Sequence, residues 1–355
     1  MTTETPCTGD TQLACSRGLG DWLRQHNVSL AFSTYQSGDL FLLGALPDGR
    51  VSVHREGFTR AMGLAGDGDR IVVASAHQLW RLENMLGPGE QANGAYDRLY
   101  VPRAAHVTGD CDVHELAIDR AGRIMFVNTR FSCLAVPSAR YGFTPVWKPE
   151  FISKLAAEDR CHLNGLAMHE GVPRYVTAVG RADMVDGWRA HRMEGGLLID
   201  VATQAVVADA LSMPHSPRVL PDGSVLMLDS GHGELIRVDP VGGRRETVAR
   251  LRGFGRGLAL HNGFAILTLS LPRNGSFGGL HLEDMLIAAG TAPVCAVQII
   301  DLRNGDVVEW IELSGRLTEL FDVCALPGVS CPMAIGLDAP ELSSMISFDA
   351  EWSAL

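Results

Sequence analysis

Three observations predict an all-β fold, a six-bladed β-propeller with four strands per blade. Short apolar strands are punctuated by Gly, Asp, Asn and Pro turns, one unit recurs about every 40–50 residues, and strands at the two termini complete one another. The unit is clearest at Asp112-Val113-His114-Glu115-Leu116-Ala117-Ile118, which turns at Gly122 into Ile124-Met125-Phe126-Val127. It returns at Thr59–Ala65, His162–Ala167, Pro214–Val219, Gly255–Leu260 and Phe321–Gly328. Met62, His114, Asn164, His215, Arg256 and Asp322 occupy matched positions, spaced by 52, 50, 51, 41 and 66 residues.

The elements follow in order. Residues 1–20 are polar and poor in apolar side chains, and are expected to be a disordered tail. Residues 21–26 carry a short helical pattern. Blade one runs from Met62 through Gln78–Leu82, and blade two from His114 to Val146-Trp147. Blade three runs from Asn164 through Gly196–Asp200, and blade four from His215 through Glu234–Val238 and Thr247–Ala249. Blade five starts at Arg256 and finishes with Val297–Asp301 and Val307–Trp310. The long last interval contains an insertion, 273–293, with a helix-like piece at Leu282–Ala289. Blade six is split between the termini. Its inner strand begins at Asp322, and its outer strands are Leu30–Ser33, Leu40–Leu43 and Val51–Val53. That closure leaves no open sheet edge. Residues 21–345 form the single propeller, and 346–355 are expected to be a C-terminal tail.

Bulk composition removes several function classes. The formal charge is −11, from 30 basic and 41 acidic residues, and the basic residues are scattered. A nucleic-acid surface needs them clustered, so no nucleic-acid partner is expected. No apolar run reaches the ~18 residues of a membrane helix, and no membrane partner is expected. The first 20 residues lack the basic start and apolar core of a secretory signal. None of the eight cysteines forms a Cys-x-x-Cys pair, and most sit in apolar strands. A reduced, cytoplasmic setting is expected.

Inner strands of a propeller line its channel, and residues i and i+2 of a strand face the same way. The matched layer is Met62, His114, Asn164, His215, Arg256 and Asp322. Two residues upstream lie Arg60, Asp112, His162, Met213, Phe254 and Leu320. Packing alone would fill these positions with apolar groups. His114, His215 and Asp322 belong to blades two, four and six, a third of a turn apart, so they are expected to meet on the axis. Two imidazoles and a carboxylate suit a divalent transition metal, with His162 the alternative third ligand. A carboxylate in third place favours Fe, and an all-His set Zn or Cu. Arg256 and Asn164 are expected to hold substrate. Glu115 alternates away from His114 and acts as support, or as a base if the strand twists there. Ser216, His215 and Asp229 contain the residue types of a hydrolase triad, but no elbow motif surrounds Ser216.

Asp112-Val113-His114-Glu115, Cys161-His162-Leu163-Asn164-Gly165, Met213–Arg218, Gly253–Leu258 and Leu320–Val323 with Leu326–Val329 resemble the motifs of a bacterial family of unknown function, DUF4915. The resemblance spans about residues 28–340. At the level of fold the chain is also similar to six-bladed gluconolactonase-like and NHL-type propellers. Those relatives imply an axial Ca or Zn ion held at inner-strand starts; a His-rich set here disfavours calcium.

The expected function is that of a metal-dependent enzyme acting on a small molecule or peptide side chain at the channel mouth. Two alternatives remain open: a non-catalytic propeller that binds a peptide or partner protein across its mouth, and a metal-free hydrolase or lyase using His114 or His162 as base.

Overall fold

The computed structural model describes residues 11–348. Six antiparallel blades stand in a ring, and each sheet begins with an inner strand at the channel. The inner strands are β1 (Leu64–Gly66), β2 (Val113–Ile118), β3 (Leu163–His169), β4 (Pro214–Val219), β5 (Phe254–His261) and β6 (Leu320–Pro327). Each packs on the next, and β6 returns to β1. Blade six closes as the sequence requires. β6 pairs with Val28–Thr34, which continues through Asp39–Ala45 to Val51–Gly57. Strands from both ends of the chain therefore share one sheet, and the ring has no free inner edge.

Two additions lie outside the sequence expectation. Gln12–Cys15 forms a fifth, outer strand on blade five, pairing with Ile311–Ser314. Residues 11–20 thus depart from the expected tail, while residues 1–10 lie outside the described residues. Four backbone pairings suffice to hold a segment whose side chains are all exposed, so its composition gave no burial signal. Blade one gains a long fourth strand, Arg98–Val107, and a parallel outer strand, Pro332–Ala334. Of the expected C-terminal tail, residues 349–355 lie outside the described residues.

The core lies between blades. Leu30, Phe32, Leu43, Ile266, Val297 and Leu320 pack where blades five and six meet. The helix Leu19–His26 covers that seam with Leu19, Trp22 and Leu23, and ends at Asn27 in the left-handed conformation (φ 49°). Hydroxyls staple neighbouring blades near the site. Thr129 Oγ1 donates to Leu163 O at 2.6 Å, and Ser230 Oγ to Gly255 O at 2.6 Å. Ser270 Oγ donates to Leu320 O at 2.8 Å, and Ser33 Oγ to Met62 O at 2.5 Å. No helix among the described residues is long and apolar enough to cross a membrane. The seven described cysteines are all free, and only Cys15 is exposed.

Candidate functional site

One irregularity of the inner strands builds the site. In β2 to β6 the pairing with the adjacent strand slips where the matched residues lie, for example between His215 and Arg218 and between Gly255 and Leu258. A bulge inserts a residue and re-aims side chains, so simple alternation fails there. Just before it, Arg60, Asp112, His162 and Met213 adopt positive φ of 48–54° at the same blade position. Non-glycine residues are seldom found there, and their recurrence marks a strained rim.

Three histidines gather at this rim. The ring centroids of His114 and His162 lie 4.8 Å apart, and those of His114 and His215 6.4 Å apart. His114 Nδ1 lies 2.9 Å from Asp112 O and 2.9 Å from Thr129 Oγ1. His215 Nδ1 lies 2.8 Å from Met213 O and 3.2 Å from Ser230 Oγ. A carbonyl only accepts, so each Nδ1 carries the proton and each Nε2 keeps a lone pair. Thr129 and Ser230 both stand 15 residues after their histidine, so blades two and four repeat one device. His162 is oriented differently. Its Nδ1 meets the Asp159 carboxylate at 2.9 Å, and Trp188 Nε1 donates to the same carboxylate at 2.8 Å. Its ring also stacks on Trp188, centroids 4.2 Å apart.

Electrostatics fix the protonation of this group. Burial lowers the His114 pKa to about 4, and burial together with the Arg256 charge lowers that of His215 well below its ordinary value. Both rings are therefore neutral at physiological pH. Burial pushes the Asp159 carboxyl upward, but its hydrogen bond and charge interaction with His162 prevail and lower it.

Arg256 lies beside them. Its guanidinium carbon sits 5.1 Å from the Phe254 ring centre and 5.3 Å from that of Phe321. Phe254 also meets His215 edge-on at 5.5 Å, and Phe321 meets His114 at 5.3 Å. Burial lowers the Arg256 pKa to about 10, which still leaves it charged at neutral pH. Its Nε has no acceptor among the described residues. His215 Nε2 and Asn164 Nδ2 are likewise buried without a partner, although Asn164 Oδ1 accepts from Thr177 at 2.7 Å. Buried polar atoms are normally paired, so these three, gathered on sequence-predicted site residues, are available to a ligand.

One expectation is corrected. Asp322 does not join the histidines. Its carboxylate accepts the backbone N–H groups of Leu64 at 2.7 Å and Val323 at 2.8 Å, and Phe321 stands next to His114 instead. Glu115, expected to alternate away from His114, reaches across to blade four. It accepts from Ser216 Oγ at 3.1 Å and pairs with Arg218 at 2.5 Å. Burial, then the charge of Glu115, raises the Asp322 pKa; burial raises that of Glu115 against the pull of Arg218. Blades two and four do meet across the axis, but through Glu115 and Ser216 with Arg218, while Asp322 of blade six feels the Glu115 charge. The bulge moves the meeting one residue along in blades two and four. Asp159, Trp188, Thr129 and Ser230 escaped the sequence reading. The shared 15-residue offset of Thr129 and Ser230, each after an Asn or Asp, was the available signal.

Among the described residues no group of three His, Cys, Asp or Glu side chains is already drawn together at metal-binding spacing. The donor chemistry nevertheless suits an ion: imidazoles whose Nδ1 is held by a carbonyl or carboxylate are how metal-binding histidines are oriented. Two imidazoles at adjacent positions of one ion, with about 2.0–2.1 Å bonds, hold their ring centres about 4.5–5.3 Å apart. The His114–His162 pair fits at 4.8 Å. His215, at 6.4 Å from His114, would have to move by roughly 1 Å.

Above the rim is a cavity of about 410 Å³, within the size range of small-molecule sites. Trp188, Met213, Phe254, Phe277 and Leu280 supply its apolar walls, and Arg256 and Arg273 open into it. The insertion predicted at 273–293 forms one side, with a helix at His281–Ala288.

A profile of the family described as "Domain of unknown function (DUF4915)" matches residues 17–335. No curated protein matches. Among solved structures, one from a nidogen/laminin complex is similar at TM-score 0.55 and 13% identity, covering 86% of this chain and 100% of that one. A streptogramin B lyase gives 0.39 and 13%, covering 70% and 67%. A catalytically inactive virginiamycin B lyase from Staphylococcus aureus with quinupristin gives 0.43 and 7%, covering 86% and 99%. The first supports the propeller fold; the two lyases are too distant to bear on chemistry.

Proposed function

The chain belongs to the DUF4915 family, and we propose that it is a metal-dependent enzyme acting on an anionic small molecule or peptide side chain at the propeller mouth. The fold by itself admits an enzyme or a binding protein. One observation supports the enzyme reading: three neighbouring imidazoles whose Nδ1 atoms are all committed, with His215 Nε2 buried and without a partner among the described residues. His114, His162 and His215 would hold the ion. With Asp322 occupied by backbone N–H groups, an all-nitrogen set favours zinc, then copper, over iron. Such an ion supplies a Lewis acid or a water of lowered pKa. The chain's own residues do the rest. Arg256 balances the charge of the bound anion, Asn164 Nδ2 offers a fixed donor, and the Trp188–Asp159 pair holds the His162 ring.

The Asp159–His162 pair also favours a second reading, a metal-free hydrolase or lyase in which His162 Nε2 is the base. Elemental analysis of purified protein, before and after zinc loading, separates the two. Near-stoichiometric metal in the wild type, lost in the double variant His114→Ala, His215→Ala with retained β-sheet circular dichroism, is the expected result. Unchanged metal content in that variant removes the metal site. Turnover that survives chelation selects the His-base reading.

A further inference from the structure

We propose that the cavity over the histidines takes a monocarboxylate with an aromatic or branched apolar body, its carboxylate on Arg256 and its body between Trp188, Phe254, Phe277 and Leu280. This inference rests on the proposed enzyme site and specifies what enters it.

Charge identifies the head group. The protein carries a formal charge of −11, yet the cavity is lined by four arginines, Arg189, Arg192, Arg256 and Arg273, against one glutamate, Glu319. A cleft whose sign opposes that of the whole molecule selects anions and concentrates them locally. Three of the arginines already have acceptors. Arg273 pairs with Glu319 at 2.6 Å, Arg189 lies 3.3 Å from Asp186, and Arg192 donates to Gly278 O. Arg256 makes no hydrogen bond to the described residues. Phe254 and Phe321 flank its guanidinium, which holds it in place without consuming its N–H donors.

The form of the free donor selects the class of anion. Of the four lining arginines only Arg256 is left without an acceptor among the described residues. A planar carboxylate matches the fork of a single arginine in charge and shape. A phosphate dianion would find no second free arginine in this lining. The walls select the body. Phe254 and Leu280 are buried in an apolar cluster with Leu282 and Leu286 of the insertion helix, and Met213 and Phe277 pack against it. Water there gains little, and an aromatic or branched group displaces it favourably.

The test is isothermal titration of full-length protein with four probes: indole-3-acetate, indole-3-acetamide, phenylacetate and phenyl phosphate. Wild type should bind indole-3-acetate about 10- to 100-fold more tightly than its amide, the range expected for a charge-assisted pair. Arg256→Gln should abolish that preference, and Arg256→Lys should retain part of it, with thermal unfolding confirming that both variants fold. Equal binding of acid and amide by wild type, or an unchanged preference in Arg256→Gln, overturns the proposal. Tighter binding of phenyl phosphate than of phenylacetate overturns the choice of carboxylate. The loss of the acid-to-amide preference in Arg256→Gln reads Arg256, whereas metal content reads the histidines, so the two proposals fail separately.

Discussion

Gly257 is the position where the packing of the ring can be tested most directly. A Cβ there would lie 2.6 Å from Asp322 Cα and 2.6 Å from Val323 N, both backbone atoms of the next blade. Its φ is not in the left-handed region, so the cost is steric alone. Backbone at that distance cannot rotate away, and Gly257→Ala must push blades five and six apart. Overpacking of this kind costs about 1–3 kcal/mol, offset by roughly 0.4–1 kcal/mol from the stiffer unfolded chain. Gly63 stands at the same position in blade one, but its Cβ would meet His114 O at 3.1 Å and Glu115 Cα at 3.3 Å. There a shift of a few tenths of an ångström suffices, and Gly63→Ala should lie within about 0.5 kcal/mol of wild type. Equilibrium urea unfolding, followed together by tryptophan fluorescence and circular dichroism, measures the difference. The midpoint should fall clearly for Gly257→Ala and barely for Gly63→Ala. A Gly257→Ala variant as stable as wild type, or less affected than Gly63→Ala, would refute the reasoning. Displacement of Asp322 and Phe321 should also weaken anion binding at Arg256, because Phe321 is one of its two flanking rings.

Two further predictions concern protonation. His114 and His215 should remain neutral Nδ1–H tautomers at pH 6, read from side-chain ¹⁵N shifts with single His→Gln variants for assignment. Their pKa values are lowered in the native state, so the stability they contribute is present above about pH 6.5 and is lost as pH falls below it, for His114 down to about 4. A cationic imidazole at pH 6 would contradict the burial argument. Asp322 behaves in the opposite sense. Its raised native pKa means the native state keeps a proton that the unfolded chain has released, so stability declines as pH rises from the ordinary carboxylate range through neutrality. Asp322→Asn should flatten that slope while costing about 1 kcal/mol for the lost acceptor of one backbone N–H; an unchanged slope would place the titration elsewhere.

Much of the molecule was legible before folding. Strand and turn composition gave the propeller, the recurrence from Met62 to Asp322 gave six blades, and the unmatched terminal strands gave the closure of blade six by Val28–Thr34. These properties are local or periodic: a blade must present apolar residues at fixed spacing to bury its faces, and that requirement is written along the chain. The same periodicity singled out His114, His162, Asn164, His215 and Arg256, because polar residues at inner-strand positions break the packing rule. What the chain could not show was which of them meet. A bulge shared by the inner strands of blades two to six shifts side chains by one residue. It turns Asp322 onto the backbone N–H groups of Leu64 and Val323 and leaves Phe321 with His114. Bulges arise from pairing between strands, and a single strand's pattern does not record them. Asp159 and Trp188 likewise reach His162 only through the fold of a loop. The sequence therefore determined the ring and the residues that line its mouth. Tertiary structure decided their partners, tautomers and charges, since these depend on burial and on contacts between blades about 50 residues apart.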